Sequence, residues 1–273
     1  MKQLSNFISE KLIINKNTGK KYYKYHPKNI KELREIIIEV CSNAENKKNI
    51  DLNDIDVSNI TSMHTLFAYD ANFVNIDISG WDVGNVETME NMFGECYNLV
   101  SVGDLSNWDV SKVKSMSDMF YNCRKLKTIG DISKWNVSNV TNFSGMFAAC
   151  NSLKSIGLLN YWDTKSAESL IGMFQDSGIE KLDISNWNVS KVYTMRYMFS
   201  ECTKLKSIGD ISNWDVSNVE FMPFLFAYCN SLKFVGNLNN WKLSPNVGIK
   251  NMFYECAIKD IPKWYNNILN FKF

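Results

Sequence analysis

Histidine and proline are scarce in this chain, two and four among 273 residues, and neither His26 nor His64 has an identifiable partner in the sequence. There is no Gly-x-x-x-x-Gly-Lys phosphate loop, no Gly-x-Ser-x-Gly elbow and no His-Glu-x-x-His zinc helix. No enzyme activity, metal or cofactor is therefore expected. Long apolar runs are absent too, and nothing approaches the roughly 18 apolar residues of a membrane span. The opening segment, Met1 to Tyr25, carries Lys2, Glu10, Lys11 and Lys16, with no aliphatic run longer than Leu12 to Ile14. A secretion signal needs an apolar core of about 7 to 15 residues, so a cytoplasmic chain is expected, a host-cytoplasmic one if a phage encodes it, and a surface one only if a signal sequence was removed.

Net charge is only +1, but it is unevenly spread: residues 1 to 50 hold eleven Lys/Arg against five Asp/Glu. Lys20, Lys21, Lys24, Lys28 and Lys31 lie among Tyr22, Tyr23 and Tyr25. Basic residues interleaved with aromatics admit a contact with nucleic acid or an acidic partner, but with no nucleic-acid motif beside them they fit the solvated face of a capping element better. Leu12-Ile13-Ile14, the turn Asn17-Thr18-Gly19 and Tyr22 to Tyr25 have the form of a hairpin. Beyond Pro27, apolar Ile30, Leu33, Ile37 and Val40 recur at helical spacing, which predicts an amphipathic helix.

What the chain has in abundance is repetition. Seven tryptophans are each followed twelve residues later by a phenylalanine, from Trp81/Phe93 to Trp241/Phe253. The phenylalanines recur at one fixed step, Phe93, Phe120, Phe147, Phe174, then Phe199, Phe226, Phe253. Only the step from Phe174 to Phe199 is shorter, by two positions, and Phe67 begins the series one position closer to Phe93 than the fixed step would place it. A large apolar residue stands four positions before each phenylalanine, for example Met89, Phe143 or Ile249, and a cysteine three positions after most of them. Periods of this size predict a solenoid whose coils bury their apolar faces only by stacking. At about 4.8 Å per coil, eight coils make a rod on the order of 40 Å long.

The run from Leu126 to Cys150, Leu-x-x-Ile-x-Asp-Ile-Ser-x-Trp-Asn-Val-Ser-Asn-Val-Thr-x-x-x-x-Met-Phe-x-x-Cys, resembles the repeat of BspA-like leucine-rich-repeat surface proteins, also common in mycoplasma lipoproteins. The resemblance extends over about residues 50 to 265. It implies an α/β repeat solenoid, a leucine-rich-repeat-like right-handed coil of about eight repeats, with the hairpin and helix of residues 1–49 as its N-terminal cap. Residues 50–265 are then the solenoid and 266–273 a closing tail. Members of this family are often adhesins or surface binders, but a repeat fixes a scaffold rather than a ligand.

Each recurring column admits a bland reading beside a functional one. Cys96, Cys123, Cys150, Cys202, Cys229 and Cys256 should form a buried apolar ladder, interrupted at Ser177, which suits a reducing compartment better than disulfides. Carboxylates four residues before tryptophan (Asp77, Asp104, Asp131, Asp183, Asp210, Asp260) and just after it (Asp82, Asp109, Asp163, Asp215) could ligate Ca²⁺. Asn136 and Asn188 substitute among them, which fits acceptors of turn hydrogen bonds better. The tryptophans could form a sugar platform, but regular recurrence fits packing.

Function should therefore sit where the regularity fails. Two positions before the phenylalanine the column reads Thr65, Asn91, Asp118, Gly145, Gly172, Tyr197, Phe224, Asn251. Tyr193, Arg196, Phe221 and Tyr228 lie nearby in the register, and Pro223 replaces a usually polar residue. Grouped aromatics with an arginine have the composition of a protein-binding hot spot, unless the chain's own tail or a like subunit covers them. The coil from Ser155 to Phe174 and the short connection Gln175-Asp176-Ser177-Gly178 form a second anomaly, a kink or a contact point. Two functions compete: a phage or mobile-element inhibitor of a host defence complex, of the anti-CRISPR blocking type, and a bacterial surface adhesin.

Overall fold

The recurring phenylalanines are the spine. In the computed structural model, which describes residues 22–270, Phe67, Phe93, Phe120, Phe147, Phe174, Phe199, Phe226 and Phe253 stack face to face with centroids 5.1–5.9 Å apart. One phenylalanine per coil with its ring parallel to the next is what a strict period requires: the same residue meets itself one coil on. The apolar residues four positions earlier, from Met63 to Ile249, are buried alongside, so a single core runs from Leu33 to Ile258.

A second spine is built by tryptophan. The indole N–H of Trp135 donates to the carbonyl of Leu105 at 2.9 Å, and that of Trp162 to Ile132 at 2.9 Å. The same bond recurs from Trp81 to Trp241 and again at Trp264. Each indole is thereby packed with its one polar atom satisfied, the packing role rather than a sugar platform. The cysteine column behaves likewise: the thiols of Cys96, Cys123, Cys150, Cys202 and Cys229 donate to the phenylalanine carbonyl one coil back at 2.8–3.1 Å. Burial pushes the Cys150 thiol up to about 12, so this sulfur is a poor nucleophile.

The corners are made by Asx turns. Around Trp135, Asp131 Oδ1 accepts the Ser133 N–H at 2.9 Å and Asn136 Oδ1 accepts the Ser138 N–H at 3.2 Å. Equivalent bonds occupy Asp77, Asp104, Asp183, Asp210, Asp82, Asp109, Asp163 and Asp215. The hydrogen bonds hold the carboxyls of Asp131 and Asp210 below the usual aspartate range. Among the described residues no group of three or more His, Cys, Asp or Glu is placed to hold a metal.

Two turns per coil leave little chain for regular structure, and here the α/β expectation needs correction. Among the described residues α-helix is confined to the ends, α1 at Ile30–Asn43 and α2 at Lys263–Asn270. Between them lie two three-residue strands, β1 (Asn49–Asp51) and β2 (Asn75–Asp77), paired in parallel. Single parallel bridges continue the pairing at Asn75↔Ser101 and Ser101↔Thr128, and a second column of bridges runs through Ser115↔Asn142 and Thr194↔Phe221, with short 3-10 turns at Leu159–Tyr161 and Leu238–Asn240. Coils with two Asx corners hold their neighbours through one-residue bridges, and among the described residues no α-helix forms inside a repeat.

Both ends are closed. The Asn29 side chain caps α1 by accepting the N–H groups of Lys31 and Glu32, while Glu32 accepts the Lys28 N–H at 2.9 Å. Leu33 and Ile37 are buried against the first coil, and Arg34 ties the helix to it by donating to the His64 carbonyl at 2.8 Å. At the far end Trp264 stacks on Trp241 and Tyr265 packs edge-on to Phe253. The expected hairpin strand at Leu12–Ile14, its turn, and Lys20 and Lys21 lie outside the described residues.

The shortened step keeps its stacking distance: Phe147–Phe174 is 5.9 Å and Phe174–Phe199 is 5.7 Å. The shortening is absorbed at Gly178, where a β-carbon would stand 2.2 Å from the Asn151 carbonyl oxygen. Gly130 is constrained twice over, by a φ of +85° and by Asp104 Oδ1 lying 1.9 Å from where a β-carbon would be. Gly130→Ala combines about 1–2 kcal/mol of left-handed strain with about 1 kcal/mol for the displaced turn hydrogen bond. Chemical denaturation should show a loss of about 2–3 kcal/mol, the sum of the two; an unchanged midpoint would mean that the corner relaxes freely.

Candidate functional site

The register positions around each phenylalanine carry an unusual backbone. Residues two before and two after it have positive φ in every coil, for example Asn91 and Glu95, Asp118 and Asn122, Tyr197 and Glu201. Asn, Asp and Gly accept this conformation readily, whereas a bulky side chain there is an outlier. Tyr197 (φ 58) and Phe224 (φ 57) are such outliers, at the position where neighbouring coils have Gly172 and Asn251. Left-handed backbone costs an L-residue about 1–2 kcal/mol, so these two coils hold strain while displaying aromatic rings, and Thr65, Tyr69 and Tyr228 hold it at the same two register positions of other coils.

The rings are displayed together. Tyr197 and Phe224 stack with centroids 5.1 Å apart at 18°, and the Arg196 guanidinium lies 5.5 Å from the Tyr197 ring centre. Phe221 occupies the bridge column, where the preceding coils have Asn142, Ser169 and Thr194, and remains 48 % exposed. Tyr193, beside Thr194 in the chain, is 47 % exposed. Tyr228 is exposed and meets Tyr254 edge-on at 5.3 Å. Tyr254 escaped the sequence reading, although the same register comparison finds it: the column one after phenylalanine is mostly Ala, Gly, Ser or Gln.

The described part of the tail does not cover these groups. Trp264 and Tyr265 pack on the end of the core, at Trp241 and Phe253. Beside Tyr193 the Thr194 hydroxyl is buried with no hydrogen-bond partner, a polar atom of the kind native interiors rarely leave unpaired.

The same register forms a groove at the other end of the rod. His64, Thr65, Tyr69, Glu90, Asn91, Glu95, Asp118 and Tyr121 line a cavity of about 470 Å³. Burial, with Glu90 adding to it, raises the Asp118 carboxyl above its ordinary value. Glu90, Glu95 and Asp118 form no ion pair among the described residues; Glu95 instead accepts hydrogen bonds from Asn122 and Tyr97. Of the basic cap, Lys24, Lys28 and Lys31 are exposed, with Lys24 Nζ 4.8 Å from the Tyr25 ring centre.

A stacked array with this repeat has relatives. Residues 36–158 and 154–264 match the family model described as "Mycoplasma protein of unknown function, DUF285". The chain belongs to this BspA-like leucine-rich-repeat family. A leucine-rich cell surface protein from Faecalibacterium prausnitzii A2-165 is similar at 18% identity and a TM-score of 0.45, over 81% of this chain and 62% of that one. This chain thus spans less than two thirds of that relative. The T. pallidum leucine-rich-repeat protein is similar at 15% identity and a TM-score of 0.38, over 67% of this chain and 77% of that one. A leucine-rich-repeat protein from Eubacterium ventriosum matches at 13% identity and a TM-score of 0.37, over 80% and 78% of the two chains. No curated protein matches. Family membership supports a repeat solenoid. Among the described residues no helix is long and apolar enough to cross a membrane.

Proposed function

We propose that this protein is a non-catalytic binding module that engages another protein through Tyr193, Arg196, Tyr197, Phe221, Phe224 and Tyr228. The observation that carries the reading is the stacked pair Tyr197/Phe224, held at positive φ where the other coils have glycine, asparagine, aspartate or threonine. Strain kept where rigid aromatic surface is presented beside an arginine is the arrangement of an interface anchor. Lys24, Lys28 and Lys31 lie at the opposite end, near α1, and play no part in it. The inhibitor and adhesin readings differ in compartment and in who encodes the protein; both use this surface.

The test borrows residues from the chain's own regular coils. In Tyr197→Gly/Phe224→Asn, relief of left-handed strain offsets the lost aromatic stack, worth about 0.5–1.5 kcal/mol, so stability should change by no more than about 1 kcal/mol. In affinity purification from the native host, a protein retained by the wild type should fall at least tenfold with this variant. An identical partner list from a variant that melts normally would remove the patch.

A further inference from the structure

Charge is sorted by side around this rod. In each coil the stretch between the cysteine position and the tryptophan forms one side, and successive stretches lie alongside one another through the bridges Ser101↔Thr128 and Lys181↔Ser207. The five stretches 124–134, 151–161, 178–186, 203–213 and 230–240 together hold nine basic residues against four acidic ones, whereas the rest of residues 51–273 holds ten basic against twenty acidic. The lysines form a column. The Lys127 N–H donates to the Val100 carbonyl at 3.0 Å, the Glu180 N–H to Lys154 at 3.2 Å and the Lys206 N–H to Glu180 at 2.8 Å, and Lys233 holds the same register position one coil on. Glu180 interrupts the column and is neutralised there: Lys206 Nζ lies 2.7 Å from it, and Lys206, with Lys154 and Lys204 adding, holds its carboxyl below the ordinary glutamate value. Lys127, Lys154, Lys181 and Lys233 are exposed and form no ion pair among the described residues.

Two of the five coils add apolar side chains to this side. Leu158 and Tyr161 in one, and Phe234 in the other, are more than half exposed. Those are also the two coils that lack the corner aspartate: Leu158 and Asn237 stand where the others have Asp131, Asp183 and Asp210, and 3-10 turns follow at Leu159–Tyr161 and Leu238–Asn240. Large apolar groups therefore protrude where the carboxylate is missing, beside Lys154 and Lys233.

We propose that this side of the rod lies on an anionic lipid surface, its lysines among the headgroup phosphates and Leu158, Tyr161 and Phe234 reaching toward the acyl boundary. Surface association of this kind combines buried apolar area with attraction to anionic lipid, and this side supplies both. Each basic residue near an anionic leaflet strengthens binding about fivefold, so a column about 20 Å long over five coils is enough to hold the molecule. The four carboxylates on this side are already engaged, Asp131, Asp183 and Asp210 in Asx turns and Glu180 by Lys206. A nucleic acid would meet the same charge, but eight of the nine basic residues are lysines, which lack the planar fork that grips phosphate bidentately. The ninth, Arg124, donates to Asn122 and lies 5.9 Å from the Tyr97 ring centre. Leu158 offers a base no ring to stack on, whereas a bilayer accepts it.

Flotation of the full chain with vesicles tests this. Phosphatidylcholine vesicles containing roughly one third phosphatidylglycerol should carry the protein with them, and pure phosphatidylcholine should not. Raising the salt from about 0.1 M to about 1 M, which shortens the Debye length from about 10 Å to about 3 Å, should weaken binding at least tenfold. Lys154→Gln/Lys233→Gln should lower the partition coefficient by about tenfold or more. Lys191→Gln/Lys250→Gln changes the net charge equally on other sides of the coil and should lower it by less than about threefold. Leu158→Ser/Phe234→Ser leaves the charge intact and should also cost about tenfold. All six side chains are exposed, so these variants keep the fold. Tyr197→Gly/Phe224→Asn should bind vesicles as the wild type does, which separates this surface from the protein-binding patch. Absence of flotation with the anionic vesicles, or equal losses from the two lysine pairs, overturns the lipid surface. Binding of a single-stranded DNA oligonucleotide in place of the vesicles, lost in Lys154→Gln/Lys233→Gln, overturns it in favour of nucleic acid.

Discussion

Replacing Trp135 by alanine should remove about 4 kcal/mol of stability, while the same change at Trp264 should cost less than half of that. Trp135 is buried in the middle of the array and stacks on Trp108 at 6.4 Å and 6°. Truncating a buried tryptophan costs about 3–5 kcal/mol through lost transfer and the cavity left behind. In a solenoid the loss falls on two neighbour interfaces at once, whereas an end residue has one. Trp264 is only partly buried and caps Trp241 from outside. The hydrogen bond contributes the smaller part: the Leu105 carbonyl also accepts the Trp108 N–H at 3.1 Å, so losing the indole does not orphan it. Trp135→Phe should accordingly cost about 1–2 kcal/mol, in the range of one hydrogen bond plus a small cavity. Urea denaturation of the three variants measures this ordering. Equal losses at Trp135 and Trp264 would mean that the array does not behave as stacked nearest neighbours.

The stack was legible because a period is a statement about contacts. If Phe120 recurs as Phe147 in the same register, both must meet the same surroundings one coil apart, and their 5.8 Å separation follows. The satisfied Trp135 indole and the Asx corner at Asp131 were legible for the same reason. Local geometry was not. The expectation of α/β units failed because apolar spacing does not distinguish a short strand from a run of turns bridged at one residue, and the corners consume the chain. The left-handed backbone at Tyr197 and Phe224 carried a trace in sequence: the column also holds Gly145, Gly172, Asn91 and Asn251, residues that favour positive φ. Taken as a conformational signature instead of a list of side chains, that column would have predicted the strain. The acidic groove stayed hidden because Glu90, Glu95 and Asp118 come from two coils and three register positions, which meet only on folding.

That strain bears on how the surface works. Glycine and asparagine elsewhere in the column show that the coil closes without an aromatic side chain, so Tyr197 and Phe224 are not required by packing. Their rings stack on each other, not into the core, and Met198 and Leu225 beside them are the buried residues. A rigid backbone with two immobilised rings loses little further entropy on binding, the condition under which a small patch yields useful affinity.

Leu33→Asp should release the N-terminal cap without unfolding the rod. Leu33 is fully buried between α1 and the first coil; Ile37 is buried with it, Ile30, Ile36, Val40 and Cys41 pack there half-buried, and Arg34 donates to the His64 carbonyl and Thr65 Oγ1. Losing the leucine costs about 2–5 kcal/mol, and a buried carboxylate with no partner adds several more. Docking of the 14-residue helix on one end of a solenoid cannot withstand that, so α1 should undock and expose Ile50, Leu52 and Ile55. The middle coils have neighbours on both sides and should keep their structure. Hydrogen exchange should therefore accelerate through α1, β1 and the first coil while residues near Phe147 stay protected. An uncapped parallel edge also invites end-to-end pairing, so the variant should sediment as concentration-dependent oligomers that salt does not dissociate. Ile38→Asp, on the exposed side of the same helix at 65 % exposure, should change neither property. Uniform acceleration across the whole chain would show instead that cap and rod unfold as one unit, and that the end coil has no stability of its own.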